Sequence, residues 1–154
     1  MSASRGLRAV ALVIVLSTLL SGCWSAYYLG ETNPTPAPSE MVGVWKHVES
    51  DGRQTQLELF ADGTFDLKGL PSLGLDERGY DIVADWTALE NASGTWEIHT
   101  YSYSTDLRLN SKTFSEQLML IESDDIIRLA FVVSDPDLKA RFLLERTAAS
   151  GAPE

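Results

Sequence analysis

Apolar and polar residues alternate through most of the chain beyond residue 42, with the two-residue period of strands that bury one face. Val42-Gly43-Val44-Trp45-Lys46-His47-Val48-Glu49 opens the series. Gln54 to Phe60 follows, with Leu57 and Leu59 on one face and Glu58 on the other. Asp62-Gly63 comes next, and Asp-Gly between apolar runs signals a hairpin because both residues tolerate the positive φ of a tight turn. Thr64-Phe65-Asp66-Leu67-Lys68 is the return strand, with Phe65 and Leu67 inward. Residues 93–98, 106–109, 117–121, 126–133 and 140–145 supply further strands. Ser123-Asp124-Asp125 and Ser134-Asp135-Pro136-Asp137 separate the last of them as turns. Residues 82–87 fit a short strand or a helical turn equally well. About eight short strands with regular turn signals predict an all-β fold, a small antiparallel barrel or sandwich. Residues 42–146 are enough to bury a core without a metal or a disulfide. Residues 147–154 are expected to fray.

An internal echo runs through this region. Gly43-Val44-Trp45 recurs as Gly94-Thr95-Trp96, Leu57-Glu58-Leu59 as Leu107-Arg108-Leu109, and Thr64-Phe65 as Thr113-Phe114. The echo fits a duplicated four-strand unit and equally the reuse of Gly, Trp and Leu by any β protein.

The N-terminal part has a different texture. Arg5 and Arg8 precede an apolar run over residues 9–20 (AVALVIVLSTLL), softened only by Ser17 and Thr18. As a helix this run rises only ~18 Å, short of the ~30 Å hydrocarbon core, so it reads as the core of a signal peptide. Leu20-Ser21-Gly22 then lead into the only cysteine, Cys23. Small residues beside the cut suit a membrane protease, and a thiolate is the natural nucleophile for alkylation. Leu20-Ser21-Gly22-Cys23 resembles the lipobox of bacterial lipoproteins. The resemblance implies cleavage before Cys23, a diacylglycerol on its sulfur and an acylated amine. Two chains at ~0.8 kcal/mol per buried CH₂ hold a protein where one does not. Residues 1–22 are therefore expected to be a leader, and 23–41 a lipidated tether. Pro34, Pro36 and Pro38 favour an extended polyproline II path there. Trp24, Tyr27 and Tyr28 suit headgroup-level contact.

Charge narrows the partners. The chain has 12 Lys+Arg against 22 Asp+Glu, a formal net charge of −10. The leader removes Arg5 and Arg8 and no acid, leaving 10 cations, 22 anions and a net charge of −12. Such a surface argues against nucleic acid, which needs clustered cations, and it stands off anionic lipid. A single cysteine leaves no disulfide framework and no Cys-rich metal site.

A wider resemblance joins these motifs. Val42-Gly43-Val44-Trp45, Leu57 to Phe65 with its Asp62-Gly63-Thr64-Phe65 turn, Ser93-Gly94-Thr95-Trp96, Asp135-Pro136-Asp137, and Phe142 with Glu145-Arg146 form the set. The pattern resembles a group of small actinobacterial lipoproteins, and its opening is similar to lipocalin-like barrels. The resemblance implies a lipocalin-like barrel on the outer face of the cytoplasmic membrane and carries no activity with it.

Candidate chemistry is sparse. The expectation is no catalytic residue, no metal and no cofactor beyond the lipid on Cys23. His47 and His99 sit on separate strands, as ordinary hydrogen-bonded strand histidines do. Asp76, Glu77, Asp81 and Asp85 have oxygens suited to Ca²⁺ but not EF-hand spacing, and read as a solvated acidic loop. Asn91-Ala92-Ser93 matches a glycosylation acceptor by chance. Trp45 and Trp96, each two residues after a glycine, read as caps of the barrel ends. Three functions compete. A binding module for a small apolar ligand or envelope component predicts a cavity lined by Trp45, Leu57, Leu59, Phe65, Trp96 and Phe131. A structural or protein-interaction domain of the envelope predicts a filled core and an exposed strand edge. An extracytoplasmic hydrolase predicts a cleft with a perturbed histidine or carboxylate.

Overall fold

A computed structural model describes residues 32–102, 104–133 and 140–147. Leu20, Ser21, Gly22, Cys23, the aromatics at 24, 27 and 28, and the turn at 134–137 lie outside the described residues.

Eight antiparallel strands form a closed barrel in which each strand pairs with its neighbour in sequence. They are β1 (Gly43–Val48), β2 (Gln54–Leu59), β3 (Thr64–Leu75), β4 (Ile82–Thr100), β5 (Thr105–Asn110), β6 (Ser115–Ser123), β7 (Ile126–Val132) and β8 (Arg141–Arg146). Closure leaves the barrel proper no sheet edge. The predicted alternation is what turns the core inward. Thr55, Leu57 and Leu59 on β2 and Phe65 and Leu67 on β3 are buried. Glu58 stands opposite Asp66, and Gln56 opposite Lys68, on the outer wall. A wall bearing those side chains faces water, since a lipid-facing barrel carries an apolar outer band. Among the described residues no helix is long and apolar enough to cross a membrane.

The first hairpin forms as the Asp62-Gly63 signal predicts. Gly63 has φ +82, and the Asp62 carboxylate accepts from Thr64 N at 3.0 Å and Thr64 Oγ1 at 2.6 Å. The β6–β7 turn is built differently. Asp124 and Asp125 have φ of 55 and 60, a type I′ geometry usually filled by Asn-Gly. Holding Asp there costs on the order of 1 kcal/mol. Asp124→Asn with Asp125→Gly is therefore expected to stabilise the fold by about 0.5–1 kcal/mol, raising Tm by several degrees in a calorimetric scan. An unchanged or lower Tm would contradict this account of the turn.

The barrel wall is uneven in height. β4 is a single strand of 19 residues, where the sequence pattern shows two separate candidates at 82–87 and 93–98. Two register shifts between β3 and β4 explain the break in pattern. At the first, Gly69 (φ +68) leaves the ladder and Asn91 Oδ1 accepts its N–H at 2.8 Å. At the second, β4 carries Trp86, Thr87 and Ala88 between its pairs with Ser72 and Pro71. Past these shifts β2 and β5 no longer accompany the pair, so residues 70–90 leave the wall as a two-stranded ribbon. Leu73, Ile82, Ala84 and Trp86 on its inner face pack against the core. Trp86 lies 6.3 Å from Phe142 and 6.4 Å from His47 by ring centroids, with the Arg53 guanidinium 5.1 Å from its ring. The ribbon thus folds over one barrel mouth.

The other mouth is covered by a strap, residues 32–41. Thr32 bridges Glu122 at the end of β6 through two 2.9 Å backbone bonds. The chain then crosses to a single helical turn, α1 (Pro38–Met41), whose Met41 is fully buried. Residues that read as tether in the sequence are therefore docked from Thr32 onward.

The internal echo maps β1, β2 and β3 onto the end of β4, β5 and the two residues just before β6. That is a step of three strands. It reverses strand direction and leaves β7 and β8 without counterparts, so the barrel is not a four-strand unit closed on its copy.

Candidate functional site

The six residues predicted to line a cavity come together inside the barrel. Trp45, Leu57, Leu59, Phe65, Trp96 and Phe131 belong to one core cluster and are at most 8% exposed. They fill the interior in the manner of small barrels, packing against one another. Both tryptophans lie at the strap mouth rather than one at each end. Trp45 Nε1 donates to Met41 O at 2.9 Å, and Trp96 Nε1 donates to Phe60 O at 3.1 Å.

Trp96 is the member of this set that also reaches a surface cleft. The cleft has a volume of about 520 Å³ and lies between the strap and the end of β4. Pro38, Ser39 and Val42 form one side, and Ala61, Gly63, Trp96, Glu97 and Ile98 the other. The size falls within the range of small-molecule sites. Trp96 has its only polar atom engaged with Phe60, so it offers the cleft carbon. Val42 and Ile98 are half-buried and pack against the core from this side. Periodicity places Trp96 inward but gives no sign of the cleft, because its other wall is the strap.

The seam between β1 and β8 is the weakest join in the barrel. Register pairs there are Trp45 with Arg146 and Lys46 with Glu145, and one further backbone bond and several side chains extend the seam. Arg146 donates to Glu40 O at 2.9 Å and Val42 O at 2.6 Å. Thr147 N and Oγ1 both donate to Val44 O at 2.9 Å. At the other end His47 Nδ1 donates to Leu143 O at 3.0 Å, its Nε2 lies 3.4 Å from Glu49 Oε1, and its ring rests 4.1 Å from Phe142. Those contacts make His47 a seam residue.

His99 stands on the outer wall beside Asp106, its register partner. Its Nε2 lies 2.8 Å from Glu97 Oε1 without the geometry of a hydrogen bond. Asp106 is 4% exposed and accepts from Ser104 Oγ at 3.4 Å and from Gln117 Nε2. Arg108 donates to the Tyr101 hydroxyl alongside. The contacts described for the two histidines are with a carbonyl, carboxylates and rings.

The acidic stretch shapes the ribbon. Asp76 accepts from Tyr80 N at 2.9 Å, Asp81 N at 3.3 Å and Arg78 Nε at 3.0 Å. Those bonds, the Tyr80 amide first, hold its carboxyl below the usual aspartate range. Asp85 accepts from Thr87 N and Oγ1 within the second register shift, which lowers it likewise. Among the described residues no three His, Cys, Asp or Glu side chains gather as a metal site needs. Glu116 is the exception in direction: burial, and then the Glu90 carboxylate, raise its pKa. A raised acid penalises the ionised fold, so its cost is absent at low pH and complete above its folded pKa. Glu116→Gln is expected to raise the denaturation midpoint at pH 7 and leave it unchanged at pH 3. An equal gain at both pH values would assign the effect to something other than charge.

The chain matches no known protein-family model, no curated protein and no solved structure.

Proposed function

We propose that this is a membrane-anchored extracytoplasmic lipoprotein and a non-enzymatic binding module for a small apolar ligand or apolar envelope component, seated outside the barrel. The observation that carries it is the cleft of about 520 Å³ at the strap mouth, walled by Val42, Trp96 and Ile98. The closed barrel is compatible with a binding module, and its filled interior moves the expected seat to this cleft. The anchor rests on the sequence: the leader, Leu20-Ser21-Gly22 and Cys23. The test is native mass spectrometry of the unlipidated mature chain offered fatty acids and phospholipids. One bound molecule, lost in Ile98→Asp, is the expected result. An unshifted mass for the native chain would overturn the cleft as the seat.

The second reading, a protein-interaction domain, has its own support. Val83 and Leu89 on the ribbon are 51% and 53% exposed, and Tyr80 is 64% exposed. The ribbon is also the part of the sheet whose outer edges have no partner strand. In-cell photocrosslinking from position 83 checks this reading through a discrete protein adduct.

A further inference from the structure

The cleft, the strap and the position of the cysteine bear on one question: what sits in the cleft when the protein is out of a bilayer. We infer that the cleft shelters one acyl chain of the lipid on the chain's own Cys23. This rests on the anchored-lipoprotein reading and names the occupant of the site proposed above.

Three observations carry it. First, the strap that forms one side of the cleft is the stretch leading back toward Cys23. Thr32 is pinned at the barrel mouth by its bridge to Glu122. Eight residues lie between it and Cys23, so the two are at most about 30 Å apart. Pro38 on the cleft's rim is six residues from Thr32, at most about 20 Å away, so the cleft is within that reach.

Second, the lining suits an aliphatic chain. Val42, Ala61, Trp96 and Ile98 present carbon, and the Trp96 N–H is already spent on Phe60 O. An anionic headgroup would need cationic side chains, and the cleft's charged member is Glu97, with Ser39 its one hydroxyl.

Third, charge favours the protein's own lipid over one taken from the leaflet. Asp62, Glu97, Asp124 and Asp125 sit at or next to this mouth, on turns or strand ends, and outnumber Arg146, which is bound to the strap there. An acidic rim repels an anionic membrane surface. A chain tethered within about 30 Å needs no extraction and arrives at high effective concentration. In a bilayer the acyl chain has an equally apolar surrounding beside its fellow and leaves the cleft. In water the cleft is its shelter, which keeps a doubly acylated protein monomeric on its way to or from a membrane.

The experiment uses the full chain, matured in a lipoprotein-processing bacterium fed a diazirine-bearing fatty acid. The purified protein is transferred out of detergent, irradiated and mapped by peptide mass spectrometry. Adducts concentrated at Val42 and at residues 96–98, on a monomer, are the expected result. In Ile98→Asp those adducts are lost and the protein elutes as a micelle-sized oligomer. Lipid on Cys23 with adducts only elsewhere, or native monomers giving way to acyl-linked oligomers, overturns the inference and leaves the anchor standing. An acyl-free Cys23 overturns the inference and the anchor together. Uptake of free fatty acid by the unlipidated chain is a separate measurement and judges the cleft on its own.

Discussion

Gly94→Ala is expected to prevent the barrel from forming. A Cβ built on Gly94 falls 2.1 Å from Asn110 O and 2.9 Å from its carbonyl carbon. Both are backbone atoms of the β5 end, where Asn110 pairs with Thr95. No rotamer change relieves such an overlap, so β4 and β5 must separate where β4 leaves the wall. The same movement disturbs Trp96, two residues on, whose ring closes the strap mouth. We expect a loss of at least about 3–4 kcal/mol, a large fraction of a typical domain's 5–15 kcal/mol. Urea denaturation measures it if any folded protein is recovered. Gly74→Ala is the control, because nothing lies within 4 Å of its added Cβ, and such a change should stay within about 0.5 kcal/mol. A cooperative transition at native midpoint for Gly94→Ala would show that the β4–β5 register differs from the one described.

The second large effect concerns attachment. Native protein is expected to lack residues 1–22, carry acyl mass on Cys23 and partition wholly into the detergent phase. In Cys23→Ser the sulfur that takes the diacylglycerol is gone, so the chain should keep its leader and show no acyl mass. The acyl chains are then absent while the apolar run of the retained leader still favours the detergent phase, so acyl mass and leader retention are the readouts and partitioning is not. Intact mass separates the cases. An acyl-free native chain would overturn the lipoprotein reading, whatever its partitioning.

Much of the barrel is legible in the sequence, because a two-residue period and turn chemistry are local signals. The Leu57–Glu58–Leu59 alternation and the Asp62-Gly63 turn place β2 and the start of β3 within a residue of where they lie, while β3 runs on past Lys68 to Leu75. The ribbon is less legible. Its register shifts interrupt the period that reveals strands, so β4 reads as two pieces with an acidic gap before them. The clue at the first shift is Asn91, which looks like part of a chance glycosylation triplet. Its real partner is the Gly69 amide, 22 positions away. The strap hides for a different reason. Three alternate prolines describe an extended path, and an extended path over a barrel mouth looks the same in sequence as one through solvent. Pro38 at the start of α1 with Glu40 two residues on is a helix-entry signal too short to stand out. Because the strap is one side of the cleft, the cleft was hidden with it. Trp96 reads in the sequence as a barrel-end cap or a cavity-lining residue; the structure buries it at the strap mouth, and its contact toward Ile98 and Val42 depends on a strap no local pattern encodes.

The bridge between Thr32 and Glu122 also sets how the domain answers a pull. A force arriving along the chain from its N-terminal side meets those two backbone bonds first, well before the six paired positions of β1 with β2. Peeling them frees the chain as far as α1 and pays out about 20 Å of slack, with the barrel and its buried Met41 plug still intact. The strap behaves as a mechanical fuse, absorbing displacement between the domain and whatever holds its leading end before any core strand is loaded.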